Sequence, residues 1–209
     1  MKGILLLPIS NKQMGNERDR ETTEKRLLET VGQMVADDGF EKIGINAVSA
    51  KSGVSKILIY RYFGSLDGLI FAYMRKHDFW LNLSMECPEG EQLLPFVKAM
   101  FRRYIEQLRT DPVLRKLFRW ELTCNNELIA QLREMREKSG LEMIRQVSQR
   151  TGHTPQDDAV VATLITASAT YLAMLSDTCG VFNGIDLSSD SGWETITRGV
   201  DSILDKLFQ

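Results

Sequence analysis

The stretch that decides the fold runs from residue 44 to residue 63 and reads GINAVSAKSGVSKILIYRYF. It contains two short helical patterns, at 45–52 and 55–63, which are separated only by Gly53-Val54. Gly53 supplies the backbone freedom that a tight turn needs, and the small Ser49 lets the second helix approach the first. The spacing therefore predicts a helix-turn-helix.

The helical period divides the side chains of this stretch into two faces. Val48, Val54, Ile59 and Tyr62 fall at inward-facing positions. The outward residues of the second helix are a small hydroxyl, a cation, an apolar side chain, a phenol and a guanidinium: Ser55, Lys56, Ile57, Tyr60 and Arg61. This set suits phosphates and base edges in a major groove. Ser55 is also predicted to N-cap the helix, whose free N–H groups favour a phosphate.

The flanking sequence extends the helical pattern on both sides. Upstream, apolar residues at helical spacing predict a helix from residue 21 to Asp38: Leu27, Leu28, Val31, Met34 and Val35. Residues 1–20 have no apolar period and are predicted to form a flexible arm. Downstream, Ser65 is the predicted N-cap of a helix that ends near residue 86, before Cys87-Pro88.

The remainder of the chain also predicts helices, at about 91–109, 113–123, 126–150, 155–178 and 193–208. Pro155 suits the first turn of the fourth of these, and no alternation typical of a strand persists. The predicted fold is all-α, with an N-terminal three-helix helix-turn-helix domain and a C-terminal helical domain. We expect a flexible arm at 1–20, the helix-turn-helix domain at 21–67 and the C-terminal domain at 68–209.

Composition and charge set further limits. The chain has 209 residues, 43% of them hydrophobic, and a net charge of −2, which is typical of a globular protein. Residues 1–80 carry 12 Lys and Arg against 10 Asp and Glu, whereas 81–209 carry 14 against 18. The three cysteines lie far apart, which favours a reducing cytoplasm over a disulfide framework. The apolar tract at 4–7 is too short for a signal peptide or a membrane span.

The sequence offers little for catalysis or metal binding. His77 and His153 stand apart, and the chain has no H-E-x-x-H, G-x-S-x-G, G-x-G-x-x-G or Walker motif. The adjacent pairs Asp37-Asp38 and Asp157-Asp158 point to different helix faces and make no metal clip. We expect no enzyme activity, no cofactor and no metal.

The central stretch resembles the signature of the tetracycline-repressor (TetR) family over about residues 21–75. Members usually read G-[YF], then a short helix, G-V-S-x-x-x-[LI]-Y-x-[HY]-F and S-K-[ED]-x-L. The positions in register here are Gly39, Phe40, Ile45, Val48, Gly53, Val54, Ser55, Lys56, Ile59, Tyr60, Arg61, Tyr62, Phe63, Ser65, Asp67 and Leu69. Leu66 replaces a usual lysine, Ile57-Leu58 a usual small or polar pair, and Gly44 a usual Ser or Thr cap.

The resemblance implies a DNA site on the second helix, formed by Ser55, Lys56, Ile57, Tyr60, Arg61 and Tyr62. Lys56 and Tyr60 are expected at phosphates and Arg61 at a base, such as guanine. Arg18 and Arg20 of the arm are either further phosphate or minor-groove contacts or plain tail charges. A twofold dimer would read a pseudo-palindromic double-stranded operator.

The resemblance also implies an effector cavity in the C-terminal domain. Bulky and adaptable side chains suit an apolar or amphipathic ligand, with the lining expected from Phe101, Tyr104, Trp120, Thr170 and Met174. These residues could equally be ordinary core. The run 123–126 is either a set of hydrogen-bond donors for the ligand or the cap of the next helix.

Two helices are candidates for self-association. The helix at 155–178 is apolar on nearly every face, and the helix at 193–208 has one apolar stripe. The resemblance implies a four-helix homodimer interface, and the alternative is that both helices fill a monomer core. The sequence therefore favours a cytoplasmic, ligand-responsive transcriptional repressor. The alternatives are a helical ligand-binding or enzymatic module whose helix-turn-helix is only structural, and a non-specific nucleoid protein.

Overall fold

The computed structural model describes residues 11–83, 86–123 and 126–209, without the side chains of 11–18 and Glu41. The described chain is helical apart from its turns and one very short hairpin, so the predicted all-α class is confirmed. It forms two compact units, and the second unit begins at Met74. This division and the boundary predicted after residue 67 both lie within the helix Leu66–His77.

The first unit is built from three helices and the start of a fourth. They are α1 (Asn11–Asp38), α2 (Ile45–Ser52), α3 (Lys56–Phe63) and α4 (Leu66–His77), with a 3-10 turn at Phe40–Lys42. The core residues are apolar side chains with no exposed surface, among them Leu27, Val31, Val48, Ile59 and Leu69. These four helices supply the predicted N-terminal helix-turn-helix domain.

Helix α1 begins ten residues earlier than predicted, because residues 11–20 are helical rather than structureless. The prediction required an apolar stripe, but a solvated helical segment needs only good helix formers and no terminator. An exposed ion pair between Arg20 Nε and Glu24 Oε1, at 2.7 Å and one turn apart, supports this part of the helix. The arm predicted at 1–10 lies outside the described residues.

Helix α4 ends at His77, about nine residues before the predicted end. The side-chain amide of Asn82 donates to the carbonyls of Arg75, Lys76 and Asp78, at 2.9, 3.2 and 2.6 Å. Asp78 also accepts from the Leu81 N–H at 3.1 Å. These contacts satisfy the last carbonyls of α4 and turn the chain, which the helical pattern of the sequence did not indicate.

The described part of the second unit contains five α-helices. They are α5 (Leu93–Thr110), α6 (Pro112–Thr123), α7 (Glu127–Thr151), α8 (Pro155–Leu175) and α9 (Asp190–Leu207). Four of them begin at side-chain caps, at Asp111, Asn126, Thr154 and Ser189. Asn126 Oδ1 accepts from the Ile129 N–H at 3.0 Å, so the cap interpretation of the run 123–126 is confirmed. Pro155 occupies the first turn of α8 as predicted.

A two-stranded hairpin joins α8 to α9. Val181–Phe182 pairs with Ile185–Asp186 in an antiparallel register, and Asn183 and Gly184 at the turn have φ values of 50° and 78°. An Asn-Gly pair with positive φ at both positions is a favoured hairpin turn. The sequence analysis missed this hairpin because strands of two residues are too short to show alternation.

Helix α8 is apolar but poorly covered within its own chain. An 18-residue window within it has a mean hydropathy of 1.5, yet only 22% of that window is buried. By length and composition it could cross a membrane, although a core helix of a soluble protein passes the same test. Val160, Leu164 and Tyr171 are the large exposed side chains on α8.

Replacing Gly53 by alanine should destabilise the first unit. Gly53 has a φ of 68° and an added Cβ would meet nothing within 4 Å, so the cost is backbone conformation alone. We expect a loss of about 1–2 kcal/mol in the free energy of unfolding, measured by denaturant titration. Gly140→Ala is the control: its Cβ also meets nothing, its φ is not positive, and it should stabilise α7 by about 0.5–1 kcal/mol. Equal effects of the two variants would contradict this account of the turn.

Candidate nucleic-acid interface and ligand cavity

The exposed face of α3 carries most of the residues predicted to contact DNA. Ser55, Lys56, Tyr60 and Arg61 are exposed, and the side chain of Ile57 is 77% exposed. Tyr62 is only half-buried, so it belongs partly to each face. The structure therefore brings the predicted residues together on one short helix.

The opposite face of α3 is fixed by burial and by hydrogen bonds at the turn. Val54 and Ile59 are buried as predicted. The Ser49 hydroxyl donates to the Val54 carbonyl at 2.8 Å, and the Ser52 hydroxyl accepts from the Val54 N–H at 3.1 Å. Ser49 was predicted only as a small residue that permits close approach. The structure adds that its hydroxyl joins α2 to the turn.

The predicted side-chain cap at Ser55 is wrong. Ser55 has the extended backbone of an N-cap residue, but its hydroxyl makes no capping hydrogen bond. The start of α3 is exposed, so water can satisfy its N–H groups without a side-chain acceptor. Ser65 does cap α4 as predicted, because its hydroxyl accepts from the Gly68 N–H at 2.9 Å.

Arg20 packs beside the candidate interface. Its guanidinium carbon lies 5.3 Å from the centre of the Tyr62 ring, within cation–π distance. Its hydrogen bond to Glu24 raises the pKa of Arg20 above its usual value. The sequence analysis placed Arg20 in a flexible arm, whereas α1 holds it against a residue of α3. The side chain of Arg18, the other predicted arm cation, lies outside the described part.

The second unit contains a cavity of about 510 Å³. Its wall is formed by side chains of α5, α6, α7 and α8 and by Trp80, which follows α4. The lining is mostly apolar and includes four aromatic residues, Trp80, Phe101, Tyr104 and Phe118. This volume and this character are typical of sites for small organic ligands.

Three of the five residues predicted to line a cavity do so: Phe101, Tyr104 and Thr170. Trp120 and Met174 lie outside the lining, and this part of the prediction is corrected. Phe118 provides the α6 contact instead, and Trp120 is two residues or about 200° further around that helix. Met174 lies one turn beyond Thr170 on α8, where its carbonyl accepts from Arg119 at 2.9 Å.

Two hydroxyls in the cavity wall, those of Tyr104 and Thr170, are hydrogen-bonded to each other. Tyr104 Oη lies 2.6 Å from Thr170 Oγ1, and Thr170 donates to the Thr166 carbonyl at 2.8 Å. Because the Thr170 proton is used in that bond, Tyr104 is the donor to Thr170. Burial raises the pKa of Tyr104, outweighing the lowering effect of its hydrogen bonds to Thr170 and Trp80. The phenol therefore remains neutral at physiological pH.

A buried ion cluster lies behind the cavity wall and reaches it through Arg136. The Arg136 guanidinium on α7 makes a bidentate contact with Glu121 of α6, at 2.7 and 2.9 Å, and its Nε donates to Asp78. The exposed fractions of the three side chains are 14% for Arg136, 6% for Glu121 and 1% for Asp78. Asp78 directly follows the last residue of α4. The cluster thus ties a cavity residue to the end of that helix.

Sequence reasoning missed Trp80, Asp78, Glu121 and Arg136. These residues are separated by up to 58 positions and share no motif or helical spacing. Taken alone, each of these residues has the sequence context of an ordinary surface charge or of a core aromatic side chain. Only the packing of α6 and α7 beside the segment after α4 brings them together.

Comparisons with known proteins support the same reading of the first unit. Residues 27–73 match the sequence model of the bacterial regulatory proteins of the tetR family. A stretch of 70 residues, 34% of the chain, is 27% identical to the HTH-type transcriptional activator FasR of Mycolicibacterium smegmatis. That stretch spans only 32% of the length of FasR.

Solved structures resemble the chain over most of its length. A TetR family protein from Vibrio parahaemolyticus has 15% sequence identity and a TM-score of 0.58, covering 86% of this chain and 97% of that one. Salmonella enterica GusR has 19% identity and a TM-score of 0.58, covering 88% and 96%. The chain is therefore similar to tetR-family proteins, in sequence over residues 27–73 and in fold over most of its length. At these identities the structural likeness shows the shared fold alone.

The match to the tetR family model at residues 27–73 confirms the resemblance found in the sequence, and the structure shows where the departures from its signature lie. Ile57, where members usually have a small or polar residue, is the most exposed large apolar side chain of α3. Leu66, where members usually have lysine, is half-buried at the start of α4. Compared with the usual signature, the first unit therefore has one lysine fewer at the start of α4 and one more apolar side chain on the exposed face of α3.

Removing the guanidinium of Arg136 should strongly destabilise the second unit. Arg136→Met leaves Asp78 and Glu121 buried without their cation, which costs about 3–5 kcal/mol for a broken buried pair. Denaturant unfolding at neutral pH measures the loss. Arg145→Met, on the same helix, removes only exposed contacts, the ion pair with Glu142 and a hydrogen bond to Gln149, and should change stability by less than about 1 kcal/mol. Similar losses in the two variants would show that the buried cluster contributes no more to stability than the exposed ion pair.

Proposed function

We propose that the protein is a ligand-responsive repressor that inserts α3 into the major groove of a pseudo-palindromic operator. The observation that carries the proposal is the exposed face of α3, where a cation, a guanidinium, a phenol and an uncovered isoleucine lie on a rigidly packed helix. Rigid presentation of such a set is what base and phosphate recognition requires. A protein with this role acts on DNA in the cytoplasm, without a membrane or a catalytic step.

The proposed contacts follow from the chemistry of each side chain. Lys56 and Tyr60 would bind phosphates, and Arg61 would donate two hydrogen bonds to a guanine edge. Ile57 would pack on a thymine methyl group, which accounts for an apolar side chain that is 77% exposed. Ser55 would donate to a phosphate near the start of α3, and the phenol of Tyr62 would lie at the edge of the DNA-contact surface.

The proposal includes a homodimer formed through α8 and α9. The exposed apolar side chains Val160, Leu164 and Tyr171 on α8 and Ile203 on α9 need cover. A second copy of the same helices provides it in an isologous interface. Two copies of α3 would then read half-sites about one helical turn apart, ~34–36 Å.

The effector is proposed to bind in the cavity of the second unit. Trp80 lies in the cavity wall, and Asp78 is held by the cavity residue Arg136. Both residues belong to the segment that directly follows α4, and α4 begins at the end of the helix-turn-helix. A ligand that changes the packing of this segment would alter α4, with a coupling free energy of typically ~1–3 kcal/mol.

Lys56→Ala tests the DNA contact. We expect affinity for the operator to fall and the slope of log K against log [salt] to flatten by about one unit, because one phosphate contact is lost. Selection of bound sequences from a random library gives the operator, and salt titrations then measure both proteins. Lys138→Ala, an exposed lysine on α7 of the other unit, is the control and should leave the slope unchanged.

Three outcomes would replace the proposal by another function. Binding that is insensitive to salt, or no DNA binding at all, would favour a ligand-binding module whose helix-turn-helix is only structural. Tight binding without sequence selection would indicate a nucleoid protein. A reporter gene that is switched on by the protein would indicate an activator, which is what the M. smegmatis relative is named.

Leu164→Glu should weaken the proposed dimer. Leu164 on α8 is 65% exposed in the single chain, and a carboxylate there would be buried against the partner copy. Sedimentation should show a shift from dimer to monomer at micromolar protein. Leu122→Glu on α6, at a leucine that is 72% exposed, should leave the dimer intact. A wild-type protein that is monomeric, or that needs detergent to remain in solution, would overturn the assignment of α8 to a dimer interface.

A further inference from the structure

The charges around the cavity do not cancel. The charged side chains among the described lining residues are Arg133, Arg136 and Glu137. Behind them, Asp78 and Glu121 both bind Arg136 and are almost fully buried. Counting these five groups at their usual ionisation gives two positive and three negative charges. The surroundings of the cavity therefore have an excess of one negative charge.

This excess lies on the buried side of the wall. Arg133 and Glu137 are exposed and are screened by solvent, whereas Asp78, Glu121 and Arg136 are sheltered. The three sheltered groups alone also sum to −1. Their contacts use three of the five N–H groups of Arg136, so its positive charge is already matched by carboxylates. An anion in the cavity would meet a guanidinium that is more than neutralised.

The aromatic part of the wall suits a cation. Arg136 itself lies over the Phe118 ring, with 5.1 Å between its guanidinium carbon and the ring centre. The rings of Trp80, Phe101 and Tyr104 lie close together on the same wall, with centroid distances of 5.0 Å for Trp80–Tyr104 and 6.4 Å for Trp80–Phe101. Aromatic faces attract cations, and the attraction is strongest where water is excluded.

The hydroxyls of Tyr104 and Thr170 in the wall do not favour an anion either. The hydroxyls of Tyr104 and Thr170 are committed to each other and to the Thr166 carbonyl. A carboxylate or phosphate could not use these two hydroxyl protons, and burying it in a mostly apolar cavity would be costly. A large organic cation with a dispersed charge loses little hydration and can rely on apolar and aromatic contacts.

We propose that this cavity binds hydrophobic organic cations and discriminates against anions of the same size and shape. The selectivity comes from the buried excess charge of Asp78 and Glu121 over Arg136, acting together with the aromatic wall. The inference rests on the proposed function only in identifying such a cation as the effector. Binding to the cavity can be tested on the full chain without any DNA.

Tetraphenylphosphonium and tetraphenylborate are suitable probes because they share size, shape and aromatic surface and differ in the sign of the charge. Calorimetric titration of the full chain should give an affinity for the phosphonium ion at least about tenfold higher than for the borate ion. Quenching of tryptophan fluorescence should accompany binding, and Trp80→Phe should abolish most of that quenching while calorimetric binding persists. This second result locates the probe at the cavity.

Glu121→Gln tests the origin of the selectivity. The variant keeps a side chain of the same size and makes the sheltered cluster neutral, so the preference for the phosphonium ion should fall by about tenfold. Glu134→Gln, at an exposed residue of α7 outside the lining, removes the same charge and should leave the preference unchanged. Circular dichroism confirms that each variant is folded, and the comparison of the two ions on the unmodified protein stands without either variant.

The inference is overturned if the borate ion binds as tightly as the phosphonium ion or more tightly, or if neither ion binds. Tighter borate binding would mean that Arg133 and Arg136 make an anion site. Cation binding by a protein that selects no DNA sequence would keep this inference and overturn the proposed function. Operator binding by a protein that prefers the borate ion would keep the proposed function and overturn this inference.

Discussion

The turn at Gly53 is the constraint on which the first unit depends. Its left-handed backbone sends α3 across α2 so that Val54 and Ile59 are buried. The Ser49 hydroxyl then donates to the Val54 carbonyl and the Ser52 hydroxyl accepts from the Val54 N–H, which fixes the backbone just before α3. Because a helix has only one side opposite its buried stripe, this burial alone decides that Lys56, Ile57 and Arg61 face solvent.

The second unit depends on a different kind of interaction. The ion cluster of Arg136, Glu121 and Asp78 joins α7, α6 and the segment after α4. Buried ion pairs contribute little net stability compared with well-packed apolar residues, but they are specific, because any other arrangement leaves a charge without a partner. The cluster sets the position of the cavity wall relative to the end of α4. It also gives the wall an electrostatic character that the apolar lining does not suggest.

The cavity and the exposed apolar face of α8 have a common origin in the composition of that helix. Small residues such as Ala159, Ala162 and Thr166 face the cavity and leave space there, while Leu164 and Tyr171 remain exposed. The rest of the chain leaves most of this helix uncovered, since only 22% of its most apolar window is buried. The proposed ligand site and the proposed dimer interface therefore use different faces of α8.

The sequence by itself determined the all-α class, the position of the helix-turn-helix and which face of α3 is exposed. These features depend on short-range spacing, and a glycine at the turn with apolar residues at helical intervals leaves few alternatives. The sequence also indicated Phe101, Tyr104 and Thr170 for the cavity. Only the tertiary structure decided the early end of α4, the exclusion of Trp120 and Met174 from the cavity, and the cluster around Arg136. Those features depend on contacts between residues far apart in the chain, whose partners no local pattern specifies.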